Sequence, residues 1–159
     1  MIHTATLVGA LPGGWDYYKA LKANGVTASG GNGDVLKAVA GGEKLYGFIV
    51  DYMPIREKAK GAPVEFVFPT DGVSAVTEPV AILKSSKNQQ AAQSFVDFIL
   101  SAEGQALAAR QGYIPALPSV ALPPGYPARE AIRTLPFDAA KALSEEKANR
   151  RTFEDVFAD

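Results

Sequence analysis

The stretch Gly30 to Arg56, GGNGDVLKAVAGGEKLYGFIVDYMPIR, decides the reading of this chain, because a helix start, an apolar run and a polar exit follow one another within it. Asn32 or Asp34 caps a helix whose apolar residues Val35, Leu36 and Val39 share one face, and whose N-terminal N–H groups attract anions. Gly41 and Gly42 stop that helix. Leu45 to Val50 is then nearly all apolar, the pattern of a strand covered on both faces in a parallel sheet. Asp51 and Tyr52 stand at its exit, and Pro54 suits the first turn of a helix running to about Lys60. Ligands of open α/β sheets lie beyond the carboxyl ends of strands, so Asp51 and Tyr52 head the candidate binding residues, with Asn32, Gly33 and Asp34 beside them. A purely structural role for these caps and glycines competes with that reading.

Working outward, Ile2 to Leu11 reads as the last turns of a helix before Pro12-Gly13-Gly14. Trp15 to Ala23 is an amphipathic helix stopped by Asn24-Gly25, and Trp15, Tyr18 and Leu21 at helical spacing read as core rather than ligand-stacking residues. Val26 to Ala28, Val64 to Phe68, Val73 to Val76 and Val80 to Leu83 read as further strands. Thr77-Glu78-Pro79 breaks the last two, and Glu78 is either a solvated turn residue or a ligand-facing carboxylate. Asn88 starts a helix with a wide apolar stripe, Ser101 restarts a second one that ends at Gly112, and both are expected to pack. Tyr113 to Pro127 is a proline-rich connector; Ala128 to Arg133 and Asp138 to about Phe157 read as helical, with Leu143, Phe153, Val156 and Phe157 facing inward. No internal repeat and no dividing linker is apparent.

Composition narrows the function. At 159 residues and 47% hydrophobic, the chain suits one ordinary domain with a real core. A net charge of −1 without basic clustering argues against a nucleic-acid partner, and the absence of cysteine removes thiol chemistry and Cys-based metal sites. The single histidine, His3, sits near a terminus with no local Ser or carboxylate partner, which disfavours a Ser-His-Asp hydrolase. GxxxxGK[ST] and GxGxxG are both absent. A hard oxygen site built from Asp51, Tyr52 and Glu78 remains open. No apolar run approaches the ~20 residues of a membrane span, and no export signal lies in the chain.

Four stretches carry a family resemblance: GWDYYKALKANGV (Gly14 to Val26), GNGDVLKAVAGGEKLYGFIVDY (Gly31 to Tyr52), Pro79 to Lys84, and AAQSFVDFILSAEGQALAARQGYIPA (Ala91 to Ala116). They resemble solute-binding proteins of bacterial ABC importers, in the branch of ferric-ion-, organophosphate- and polyamine-binding receptors. The resemblance implies an α/β fold, a mostly parallel sheet with flanking helices like one lobe of a type II periplasmic binding protein. It implies residues 1–159 as a single incomplete domain, the C-terminal half of a two-lobe receptor, with residues 73–112 returning toward the first lobe. It further implies a non-enzymatic, periplasmic receptor that binds a small polar or anionic solute, with no cofactor, and delivers it to an ABC permease. Ferric members bind metal through two adjacent tyrosines; here Tyr52 matches and Asp51 departs, so Tyr52 is the metal candidate and ferric ion a candidate solute. Ser74 and Glu78 join Asn32, Gly33, Asp34, Asp51 and Tyr52 as candidate ligand contacts. The alternatives are an enzyme using Asp51 and Glu78, a protein-interaction module, and a truncated remnant without transport function. The apolar residues Phe95, Val96, Phe98, Ile99 and Leu100 lie on more than one side of a helix, which leads us to expect a homodimer formed by exchange of residues 73–112.

Overall fold

A computed structural model describes residues 1–28 and 30–158. Helix accounts for 49% of the chain and strand for 1%, with no sheet among the described residues. The expected parallel sheet is therefore absent, and with it the α/β class. The helices are α1 (Ile2–Ala10), α2 (Trp15–Ala23), α3 (Asn32–Ala40), α4 (Tyr52–Ala59), α5 (Gln89–Leu100), α6 (Ala102–Arg110), α7 (Ala139–Ser144) and α8 (Glu146–Phe157). From α1 to α6 they lie where local signals put them. Between its ends a helix satisfies its backbone within itself, which a strand cannot do.

The segments read as strands form no sheet among the described residues. In Leu45 to Val50, Leu45 and Tyr46 are 85% and 90% exposed, and Val67, Val76, Val80 and Leu83 are exposed too. An apolar run shows that a segment can be covered; it does not show that a neighbouring strand exists to cover it. The one ladder contact described is an isolated parallel bridge between Val73 and Thr134, made by Val73 N–H to Arg133 O at 2.9 Å and Leu135 N–H to Val73 O at 2.8 Å.

The chain forms two compact units. The first comprises Met1–Gly31, Val67–Thr77 and Ile132–Asp159. Its core is Leu7, Tyr18 and Leu135, flanked by Trp15, Leu21, Phe153, Val156 and Phe157. Tyr18 meets Phe153 edge-on, with centroids 5.8 Å apart, where α2 packs on α8. The expected single helix from Asp138 to Phe157 is instead two, broken at Glu145, with Asp138 Oδ1 capping α7 through the Lys141 N–H at 3.0 Å. The break turns Leu143 outward, to 75% exposure, against the expectation that it faces inward.

The second unit comprises Asn32–Phe66 and Glu78–Ala131. Leu45 to Val50 lies along α3: a Cβ on Gly47 would stand 2.4 Å from Val35 Cγ1 and 3.2 Å from Val39 Cγ2, so only glycine permits this approach. At the α5–α6 elbow Ser101 Oγ accepts the Gly104 N–H at 3.2 Å and donates to Phe98 O at 2.7 Å. Buried Gln105 donates to Ile99 O at 2.9 Å and accepts the Ala116 N–H at 2.6 Å, tying the proline-rich connector to α6. Of the helix expected over Ala128 to Arg133, only a 3-10 turn at Arg129–Ala131 forms. The α5 stripe is less covered than its periodicity suggested, with Phe95 60% exposed.

Candidate functional site

The site grows from the start of α4 in the second unit. Asp51 caps this helix, its Oδ1 accepting the Tyr52 N–H at 2.8 Å, and buried Pro54 sits in the first turn, where its missing N–H costs nothing. Tyr52 thus opens the helix with Arg56 one turn on. Both line a cavity of about 170 Å³ with Leu36, Met53 and Glu57, where α3 and α4 meet.

At the end of α6 the chain turns through Gly112, whose φ of +93° belongs to glycine. A Cβ there would lie 3.2 Å from Arg56 Cδ and 3.4 Å from Tyr52 Cβ, so the backbone rests directly on α4. The next residue, Tyr113, meets Tyr52 with ring centroids 4.7 Å apart and planes 42° apart. The hydrogen bond to Tyr52 and the charge of that neighbour raise the Tyr113 hydroxyl above the ordinary phenol range, with smaller contributions from burial and from the Glu78 carboxylate. Arg56 acts in the opposite sense. Both phenols and both side-chain charges therefore bear on one spot.

Tyr126 completes the arrangement. Its hydroxyl donates to Gly112 O at 2.9 Å and also interacts with the Asp51 carboxylate. Burial first, then the Asp51 charge and hydrogen bond, push this phenol well above its usual value.

Of the residues singled out from sequence, Asn32 lies at the start of α3, where its Oδ1 accepts the Val50 N–H at 3.3 Å, directly before Asp51. Gly33 and Asp34 follow it in the exposed first turn. Glu78 is exposed and reaches the pair electrostatically through Tyr113. Ser74 belongs to the other unit, where its hydroxyl lies 2.7 Å from His3 Nδ1. His3, for which local spacing offered no partner, is thus bonded across 71 positions of sequence. Sequence reasoning passed over Arg56, Tyr113 and Tyr126. The available signal was the pair of tyrosines bracketing the connector, the first placed directly after a helix-stopping glycine. Among the described residues no group of three or more His, Cys, Asp or Glu could hold a metal ion.

A family model described as bacterial extracellular solute-binding protein matches residues 7–134. The chain belongs to this family. An uncharacterized protein of Haemophilus influenzae is 47% identical to the solute-binding protein over 66 residues, which cover 42% of this chain and 18% of that relative. The matched segment is thus less than a fifth of the relative's length. No solved structure matches. The family is normally non-enzymatic and extracytoplasmic, with a small-molecule ligand and a transporter as general partners. Among the described residues no helix is long and apolar enough to cross a membrane.

Proposed function

We propose that this solute-binding protein serves a bacterial ABC importer in the periplasm, and that Arg56, Tyr52 and Tyr113 hold a small polar solute bearing an anionic group. The observation that carries the reading is the cavity lined by Tyr52 and Arg56, Tyr52 being also the ring that Tyr113 meets. Arg56 supplies the positive charge and bidentate geometry for a carboxylate or phosphate. Tyr113, held protonated well past neutrality, supplies a neutral donor. Asp51 is engaged by the Tyr52 N–H and Tyr126, and Glu78 accepts from a hydroxyl or amine on the same molecule. Asn32, Gly33 and Asp34 begin α3, which contributes Leu36 to the cavity, and are the next residues to test.

Isothermal titration of the full chain with inorganic phosphate and glycerol phosphate is the direct check. Arg56→Gln is expected to weaken binding by roughly a hundredfold, the scale of one lost charge-assisted pair, and Tyr52→Phe by roughly tenfold. Unchanged affinity in both variants would falsify the assignment.

Ferric ion is the second reading of the solute, favoured by the ring contact of Tyr113 with Tyr52 and by the reach of the Glu78 carboxylate to Tyr113. Its binding must release the Tyr113 proton. Ferric nitrilotriacetate added to the protein distinguishes the two: a visible phenolate-to-iron absorption band that weakens in Tyr52→Phe and is lost when Tyr113→Phe is added selects the ion over the anion. We extend the proposal to assembly, with two copies exchanging residues 73–112 to cover the exposed apolar residues Leu83, Phe95, Phe98 and Leu100.

A further inference from the structure

We infer that the solute is a zwitterion with a short apolar portion, its carboxylate on Arg56 and its ammonium on Glu57; this rests on the proposed solute site and names the class of molecule that site takes. Arg56 and Glu57 are adjacent on α4, carry opposite charges and line the same cavity. They do not neutralise each other, since among the described residues no ion pair joins Arg56 to a carboxylate. Glu57 is paired through one oxygen, with Lys60 Nζ donating to Oε1 at 2.7 Å. In that pair the Lys60 side chain is 62% exposed and that of Glu57 37%, so the lysine is the wetter partner. A pair so exposed is weakly held. A carboxylate accepts at both oxygens, which leaves Oε2 for a second cation. A plain anion satisfies Arg56 and leaves Glu57 half-used, whereas a molecule carrying both charges engages both. Leu36 and Met53 complete the lining and suit an aliphatic portion, the thioether adapting to its shape. The volume, about 170 Å³, sets the size. A cavity of ~150 Å³ takes up benzene, so the occupant here has roughly six to eight non-hydrogen atoms, the size of a small aliphatic amino acid.

Isothermal titration of the full chain compares L-norvaline with valerate, which has the same carbon chain and carboxylate without the ammonium. L-norvaline is expected to bind roughly tenfold tighter or more, the scale of one charge-assisted hydrogen bond. In Glu57→Gln that preference should disappear while valerate affinity is kept. Equal affinities in the wild type, or a preference that survives in folded Glu57→Gln, overturn the inference. Glu78 is a carboxylate outside the cavity lining, so Glu78→Gln should leave the preference in place. A preference lost there instead overturns the assignment to Glu57. Should Glu57→Gln lose its helical circular dichroism, Lys60→Gln takes its place: it frees Oε1 and should widen the preference by roughly threefold, and an unchanged or narrowed preference overturns the inference. The underlying reading fails by a different result. Phosphate and valerate affinities that Arg56→Gln leaves unchanged, or no binding of any of the three molecules, remove the site and the zwitterion with it. Valerate binding that depends on Arg56, without any preference for L-norvaline, keeps the site and overturns the zwitterion alone.

Discussion

Gly104→Ala is the sharpest test of how the second unit is built, because two ordinary expectations about it oppose each other. Alanine is the better helix former by ~1 kcal/mol, so the substitution in α6 should stabilise if the site is open. It is closed. The added Cβ would stand 2.2 Å from Phe98 O, 2.7 Å from Ile99 O and 2.8 Å from Ile99 Cα, all backbone atoms that no rotamer change can move. Restoring ordinary contact at 3.4 Å requires the end of α5 to retreat by about 1.2 Å. That displacement also pulls on the Ser101 hydroxyl, which bonds both Gly104 N–H and Phe98 O. Overpacking costs ~1–3 kcal/mol and loss of a helix cap ~1 kcal/mol, so after the propensity gain the net destabilisation is about 2 kcal/mol. With a urea slope of ~2 kcal/mol/M the midpoint falls by roughly 1 M, read by circular dichroism. Gly9→Ala in α1, where nothing lies within 4 Å of the new Cβ, is the control and should be neutral or stabilising. A Gly104→Ala protein as stable as Gly9→Ala would show that the elbow is open and refute the packing described.

Two further outcomes are expected. His3 has its pKa lowered, chiefly by burial and then by the terminal ammonium, so the folded state holds it neutral. Its contribution is fully present above the unfolded value of 6.5 and is lost as pH falls through the lower folded value; urea midpoints measured from neutral to acidic pH should therefore decline less in His3→Gln than in wild type, and parallel declines would contradict this. Sedimentation velocity at micromolar concentration should show a dimer that Phe95→Ser shifts toward monomer, whereas a clean wild-type monomer that binds no hydrophobic dye counts against segment exchange.

What the sequence determined by itself is local. Asn88 precedes α5, Ser101 caps α6, Gly112 ends it, and Trp15, Tyr18 and Leu21 join a core, because caps, stops and 3.6-residue periodicity act over a few residues. The resemblance carried by the same stretches likewise led to the solute-binding family. Only the tertiary structure decided the rest. Leu45 to Val50 has the composition of a buried strand and lies along α3 without joining a sheet, since strand pairing depends on a second segment that the composition of the first cannot specify. His3 meets Ser74 and Tyr126 meets Gly112 across 71 and 14 positions, and no spacing rule extends that far. Tyr113 read as the first residue of a connector; the turn at Gly112 lays it against Tyr52, and that contact makes it part of a candidate site.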